Sequence, residues 1–254
     1  MSFLLWILAI SAVLLLLRLN VGPLPRRRAF KALFLPGVLV AIVGKLLACA
    51  LSGSKLQEVN FPWREGDPAK PEESKVPIWG SLCQTLVPVL TGAAAVLIAR
   101  EILVPELIGR IELPDLETHP GAIAVFLDTC RQILGDLTAM ANAGELWRWQ
   151  MALFGYLSFS ILAFTSPTWK ECDRIKGHFF AAVLSVAAVG WLGLKVGFLS
   201  RGWYIRYKWS EPVFEGLGLI LTAALAALLA TLTVRWSYLL LLAAFKPKQG
   251  PPKE

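Results

Sequence analysis

Residues able to carry chemistry are sparse in this chain and poorly grouped. Its two histidines, His119 and His178, are far apart, and neither belongs to an HxH or HxxxH pair. The four cysteines, Cys49, Cys83, Cys130 and Cys172, form no CxxC pair. They read as small buried hydrophobes rather than as metal ligands or a disulfide framework. A zinc or di-iron centre needs several ligands at close spacing, and none is present, so no cofactor and no metal is expected. No GxGxxG, Walker loop or GxSxG occurs either. The two nearest candidates for acid–base work are Asp173 and His178. Two lysines stand out for a different reason: Lys45 and Lys195 lie inside long apolar runs. An ionisable group within a membrane segment is a functional hypothesis by default, and its structural alternative is a stem that snorkels to the interface. Lys195 is near the end of its run and is expected to snorkel. Lys45 is eight residues from Gly53, roughly 12 Å along a helix, so snorkelling or packing against a helix cavity competes with a chemical role.

The segments that must position these residues are set by composition. Of 254 residues, 56% are hydrophobic and 17% charged, whereas soluble domains carry roughly 25% charge. Ten tryptophans cluster near the ends of apolar runs, as in an interfacial belt. The net charge of +7 comes from short basic clusters beside those runs, which the positive-inside rule produces. Nucleic-acid binding is therefore not expected. The fold class is all-α: a polytopic membrane helix bundle in one domain over 1–245. Spans are expected at about 3–19, 29–51, 78–103, 149–164, 179–199 and 213–234, since a span takes ~20 apolar residues. The run after 212 is long enough to continue past Arg235 and Trp236 along the interface.

The first span is expected to be a retained anchor, with no basic residue before it and Arg18, Arg26, Arg27, Arg28 and Lys31 at or after its end. This puts the N-terminus outside and the Arg26–Arg28 cluster in the cytoplasm of a cell's inner (plasma) membrane. Region 106–148 differs. Ile123, Phe126, Cys130, Ile133, Leu137 and Met140 recur at helical spacing, opposite Asp128, Arg131, Gln132 and Asp136. That is an amphipathic helix for the interface or the underside of the bundle, with Thr118 and Pro120 near its start. "KLQEVNF" in the first long loop alternates like a short strand, allowing at most a strand pair. The tail 246–254 is expected to be disordered.

Within the second span, Gly37, Ala41, Gly44, Ala48 and Ser52 recur at steps of three and four. Such a stripe lets another helix approach closely. The span should be buried in the bundle through Gly37, Gly44, Ala48 and Ser52, with Lys45 bordering the packing face.

The same stretch, "LPGVLVAIVGKLLACALSG", resembles the zinc helix of site-2-protease-type membrane metalloproteases, P-G-x-x-x-H-E-x-x-H-x-x-x-A-x-x-x-G. Pro36 and Gly37 lead in, Cys49 stands at the alanine position and Gly53 closes the frame. The five central positions read Ala41, Ile42, Val43, Gly44 and Lys45. "SGSKLQEVNF" and "LVPVLTG" are similar to the strand and the Pro–Gly span that follow in compact members. "GYLSFSILAFTSPTWKECD" is similar to a later span, with Tyr156, Ser160 and Pro167, and Glu171 or Asp173 as its acid. The likeness covers about half the chain. It implies a zinc-protease scaffold whose ligand and general-base positions are Ala41, Ile42 and Lys45. Neither Ala41 nor Ile42 can bind zinc or move a proton, and a lysine puts a cation where the metal would sit. What it implies is a pseudoprotease without hydrolysis, a subunit or binding partner of other integral membrane proteins. The charge rule places the Glu171 turn on the far side from the arginine cluster, whereas ligands of one site need one depth. A small transporter or channel-like protein is an alternative, weakened by the scarcity of acids in the spans. An active membrane enzyme using Asp173 and His178 is another.

Overall fold

The computed structural model describes residues 2–22, 24–60, 64–72, 77–105, 122–144, 148–168 and 210–245. They form seven α-helices and one small sheet. Helix α1 (Ser2–Val21) is apolar up to Arg18 in its last turn and is followed by Gly22, whose φ of 58° reverses the chain. A single 3-10 turn (Leu24–Arg26) leads to the short helix α2 (Arg28–Leu33), then α3 (Leu35–Ser52). The expected span over 29–51 is thus two helices broken at Phe34. Pro36 has no N–H to give the preceding turn, but it suits the first turn of a new helix, where none is needed. Gly53, with φ 65°, closes α3 and donates its N–H to the Cys49 carbonyl. A left-handed residue at this position is the usual glycine stop.

Strands β1 (Leu56–Val59) and β2 (Ala69–Pro71) follow as an antiparallel pair, with Leu56 opposite Pro71 and Val59 opposite Ala69. Helix α4 (Pro77–Leu103) carries Pro88 in its interior. Helix α5 (Ala122–Asn142) is amphipathic: Ile133 is buried, Phe126, Leu137 and Met140 are half-buried, and Asp128, Arg131 and Gln132 are exposed. Helices α6 (Trp149–Thr165) and α7 (Ser210–Phe245) complete the described structure.

Helix α3 packs on α4 and α6, and α1 packs on α7, with α6 touching both groups. A large apolar core gathers Trp6, Leu14, Leu17, Val96, Leu162, Leu221 and Ala224. A smaller one joins Val38, Ala41 and Ile42 of α3 to Ala69 of β2 and to Ala163 and Phe164 of α6. The opposite face of α3 exposes Leu39, Val43, Leu46, Leu47 and Leu51. A helix apolar on both faces suits hydrocarbon rather than water. Three helical segments are long and apolar enough to cross a membrane: Leu35–Ser52, Gly80–Leu103 and Glu215–Ser237. Helix α6 and the Ala9–Val21 part of α1 are apolar as well. The expected span 179–199, the segment 106–121 and the tail 246–254 lie outside the described residues.

Candidate functional site

The centre of α3 is positioned by close backbone contacts. A Cβ on Gly37 would collide with the Ser160 carbonyl of α6, and one on Gly44 would lie 2.8 Å from Pro88 Cα of α4. Gly92 of α4 is packed in the same way against the Thr165 side chain of α6. Gly37, Gly44, Ala48 and Ser52 are all buried. Small residues thus let three helices meet at backbone distance, the usual means of helix association in lipid.

The entry to α3 is fastened by two α6 side chains. Ser160 Oγ accepts from the Gly37 N–H at 2.8 Å and donates to the Phe34 carbonyl at 3.0 Å. Tyr156 donates its hydroxyl to the Leu33 carbonyl at 2.5 Å. The break before Pro36 leaves backbone groups of α2 and α3 without ordinary helical partners, and Ser160 and Tyr156 supply them. Tyr156 also stacks on Phe34, with ring centroids 5.6 Å apart.

Half-buried Lys45 does not run along α3 toward Gly53. Its Nζ donates to the Ala69 carbonyl of β2 at 2.9 Å. Ala69 is fully buried and Ala41 is 1% exposed, so the hairpin lies directly on the motif face of the helix. The loop between the strands is fixed by several bonds. Asn60 Nδ2 donates to the Asp67 carbonyl, and Gly66 N donates to the Arg26 carbonyl. Lys31 is fully buried and donates Nζ to the Arg64 carbonyl at 2.7 Å. Arg26 grips the Asp67 carboxylate through Nε at 3.1 Å and Nη2 at 3.3 Å. Burial alone would push the Asp67 carboxyl up. The Arg26 hydrogen bond and the charges of Arg26, Lys45 and Arg18 outweigh it and hold the group below the usual carboxylate range.

Helix α6 ends beside the motif, not beyond it. Ala163 and Phe164 pack on Val38, Ala41 and Ile42, and Arg18 Nη1 donates to the Ala163 carbonyl at 2.9 Å. The end of α6 thus packs beside the centre of α3. Glu171, Asp173 and His178 lie outside the described residues, as does Lys195.

The site thus unites Ala41, Ile42 and Lys45 with Arg18, Arg26, Lys31 and Asp67. Its donor set does not suit zinc. Among the described residues no group of three or more His, Cys, Asp or Glu side chains could hold a metal ion. The motif positions offer two packed aliphatic groups and an ammonium. Asp67 was not legible as a site residue, since the sequence shows it only as one acid in a polar loop. Its signal, a lone Gly-Asp-Pro turn following a strand pattern, is common to many surface turns.

No protein-family model matches the chain, and no curated protein or solved structure matches it. Length and apolar composition of the three segments mark it as an α-helical membrane protein.

Proposed function

We propose that the chain is a non-catalytic integral membrane protein on the site-2-protease plan, acting as a subunit or binding partner in a complex of the inner (plasma) membrane. The observation that carries this reading is the Lys45–Ala69 bond. At the position where the resemblance puts the second zinc ligand, an ammonium ties the hairpin to the helix. A cation there opposes a dication electrostatically, and its hydrogen bond gives the replacement a structural task. The burial of Ala41 and Ile42 supports the same view, because a water to be activated would need room that their packing denies. Six spans, with the N-terminus outside and the Arg26–Arg28 cluster cytoplasmic, belong to this proposal.

Purification of the full chain from gently solubilised membranes tests it. The expected result is no stoichiometric zinc, together with a discrete second membrane protein migrating with it on native gels. Bound zinc at one ion per chain, or a peptidase activity lost on Asp173→Asn, would overturn the proposal.

A further inference from the structure

A second region, away from the motif, combines an apolar cavity with an oriented arginine in its wall. The cavity has a volume of about 730 Å³ and lies between the end of α1, the connector to α3, α6 and α7. Leu19, Leu24, Phe30, Phe34, Phe159 and Val234 supply its apolar wall. Among the described residues no carboxylate lines it, and the only charged lining group is Arg235 of α7.

Arg235 is oriented rather than loose. Its Nη1 donates to Asn20 Oδ1 at 3.2 Å, while Asn20 Nδ2 is itself held by the Leu16 carbonyl at 2.9 Å. One of five guanidinium N–H donors is thereby used, and the exposed fork keeps the rest. Exposed Arg27 and Arg28 sit in the connector between two lining residues, Leu24 and Phe30. Their neighbour Arg26 is already occupied by Asp67, whereas no described carboxylate bonds Arg27, Arg28 or Arg235. The cavity therefore offers hydrocarbon-lined volume with one guanidinium group in its wall, beside a connector that carries two further exposed arginines. It lies where α1 ends, against residues 230–235 of α7.

We propose that this cavity binds an anionic glycerophospholipid, with an acyl chain along Leu19, Phe159 and Val234 and the phosphodiester on Arg235, favoured further by the charges of Arg27 and Arg28 in the adjacent connector. Guanidinium groups match phosphate oxygens with paired donors. The volume falls within the range of small-molecule sites, about 300–1,000 Å³. A zwitterionic lipid fills the cavity equally well but brings its own cation beside these arginines. A free phosphate ion satisfies the arginines but leaves the apolar wall empty. The charge complementarity thus selects an anionic lipid over both.

The test uses the full chain in mild detergent, incubated with dioleoyl-phosphatidylglycerol or dioleoyl-phosphatidylcholine, with retained lipid counted by native mass spectrometry. Phosphatidylglycerol is expected to bind about tenfold more tightly, and Arg235→Gln to weaken it about fivefold, the effect of one arginine near an anionic headgroup. Arg131→Gln, on the exposed face of α5, should leave it unchanged. If Arg235→Gln does not fold, the exposed double variant Arg27→Gln/Arg28→Gln carries the same expectation. Equal retention of the two lipids by the unaltered chain would overturn the proposal. So would equal weakening by Arg131→Gln, which would mean general surface charge, or full displacement by inorganic phosphate, which would mean a simple anion site.

Discussion

The α3–hairpin–α6 region and the α1–α7 region are both apolar, yet they are held together differently. In the first, glycines bring backbones into contact, and Lys45, Tyr156, Ser160 and Asp67 make directed polar bonds. In the second, Leu14, Leu17, Leu221 and Ala224 meet by side-chain packing. Cavities of about 550 Å³ and 730 Å³ open along α7, and the buried Ser158 hydroxyl facing the smaller one has no hydrogen-bond partner among the described residues. Between helices in lipid, apolar burial contributes little driving force, so close packing and polar bonds decide the arrangement. The first region therefore specifies one geometry, whereas the second leaves space between its helices.

The strongest way to break this contrast is Gly37→Leu. The new side chain would occupy the Ser160 carbonyl, and overpacking of a backbone contact costs about 3 kcal/mol or more. The expected outcome is loss of the folded protein in detergent, seen as absent cooperative melting by tryptophan fluorescence. Gly155→Ala on α6, where a Cβ meets nothing within 4 Å, should melt as the unaltered chain or slightly higher, by up to about 1 kcal/mol from helix propensity. If both variants behave alike, the glycine contacts do not set the geometry.

A smaller effect is expected for Lys45→Met, which keeps the stem and removes the ammonium. Loss of a charge-assisted bond costs about 1.5–3 kcal/mol. Because Ala69 is buried, its carbonyl would be left without that donor. Amide hydrogen exchange should speed up in β1 and β2 while α7 keeps its protection. Equal acceleration in α7 would show that the two regions are one cooperative unit rather than two.

Much of this was legible in the sequence, for definite reasons. A membrane-like composition and periodic small residues identify α3 and its buried face, because packing in lipid favours few residue types at fixed spacing. The alternation in "KLQEVNF" marks β1, and the helical spacing after 122 marks α5. The partner of Lys45 was not legible. A backbone carbonyl has no sequence identity, and only the return of the chain through the Gly66–Asp67 turn brings Ala69 to it. Nor was the helix break at Phe34 expected, since Pro36 in an apolar run is compatible with a kinked span. Tyr156 and Ser160 stand out in the sequence only through a resemblance, and their part in fastening that break shows only once α6 lies against α3.

The gentlest probe of the contrast is pH. Arg26 and Asp67 are both partly exposed, so their pairing contributes only about 0.5–1 kcal/mol. The Asp67 carboxyl is held below its ordinary value in the folded chain. An unfolded aspartate titrates near 3.9, so the folded form binds its proton less readily than the unfolded one. The stabilisation is therefore complete above that value and is lost as pH falls through the lower, folded pKa. Hairpin exchange, measured as protection relative to the intrinsic rate, should loosen only in strong acid. Asp67→Asn should remove the acid-dependent part while leaving the Lys45–Ala69 bond in place. A hairpin that loosens near neutral pH, or an Asp67→Asn variant with unaltered acid sensitivity, would mean that another group controls it. Loosening confined to β1 and β2 would instead place the polar fastening of the first region at Asp67 and Lys45 together, with Asp67 the weaker of the two.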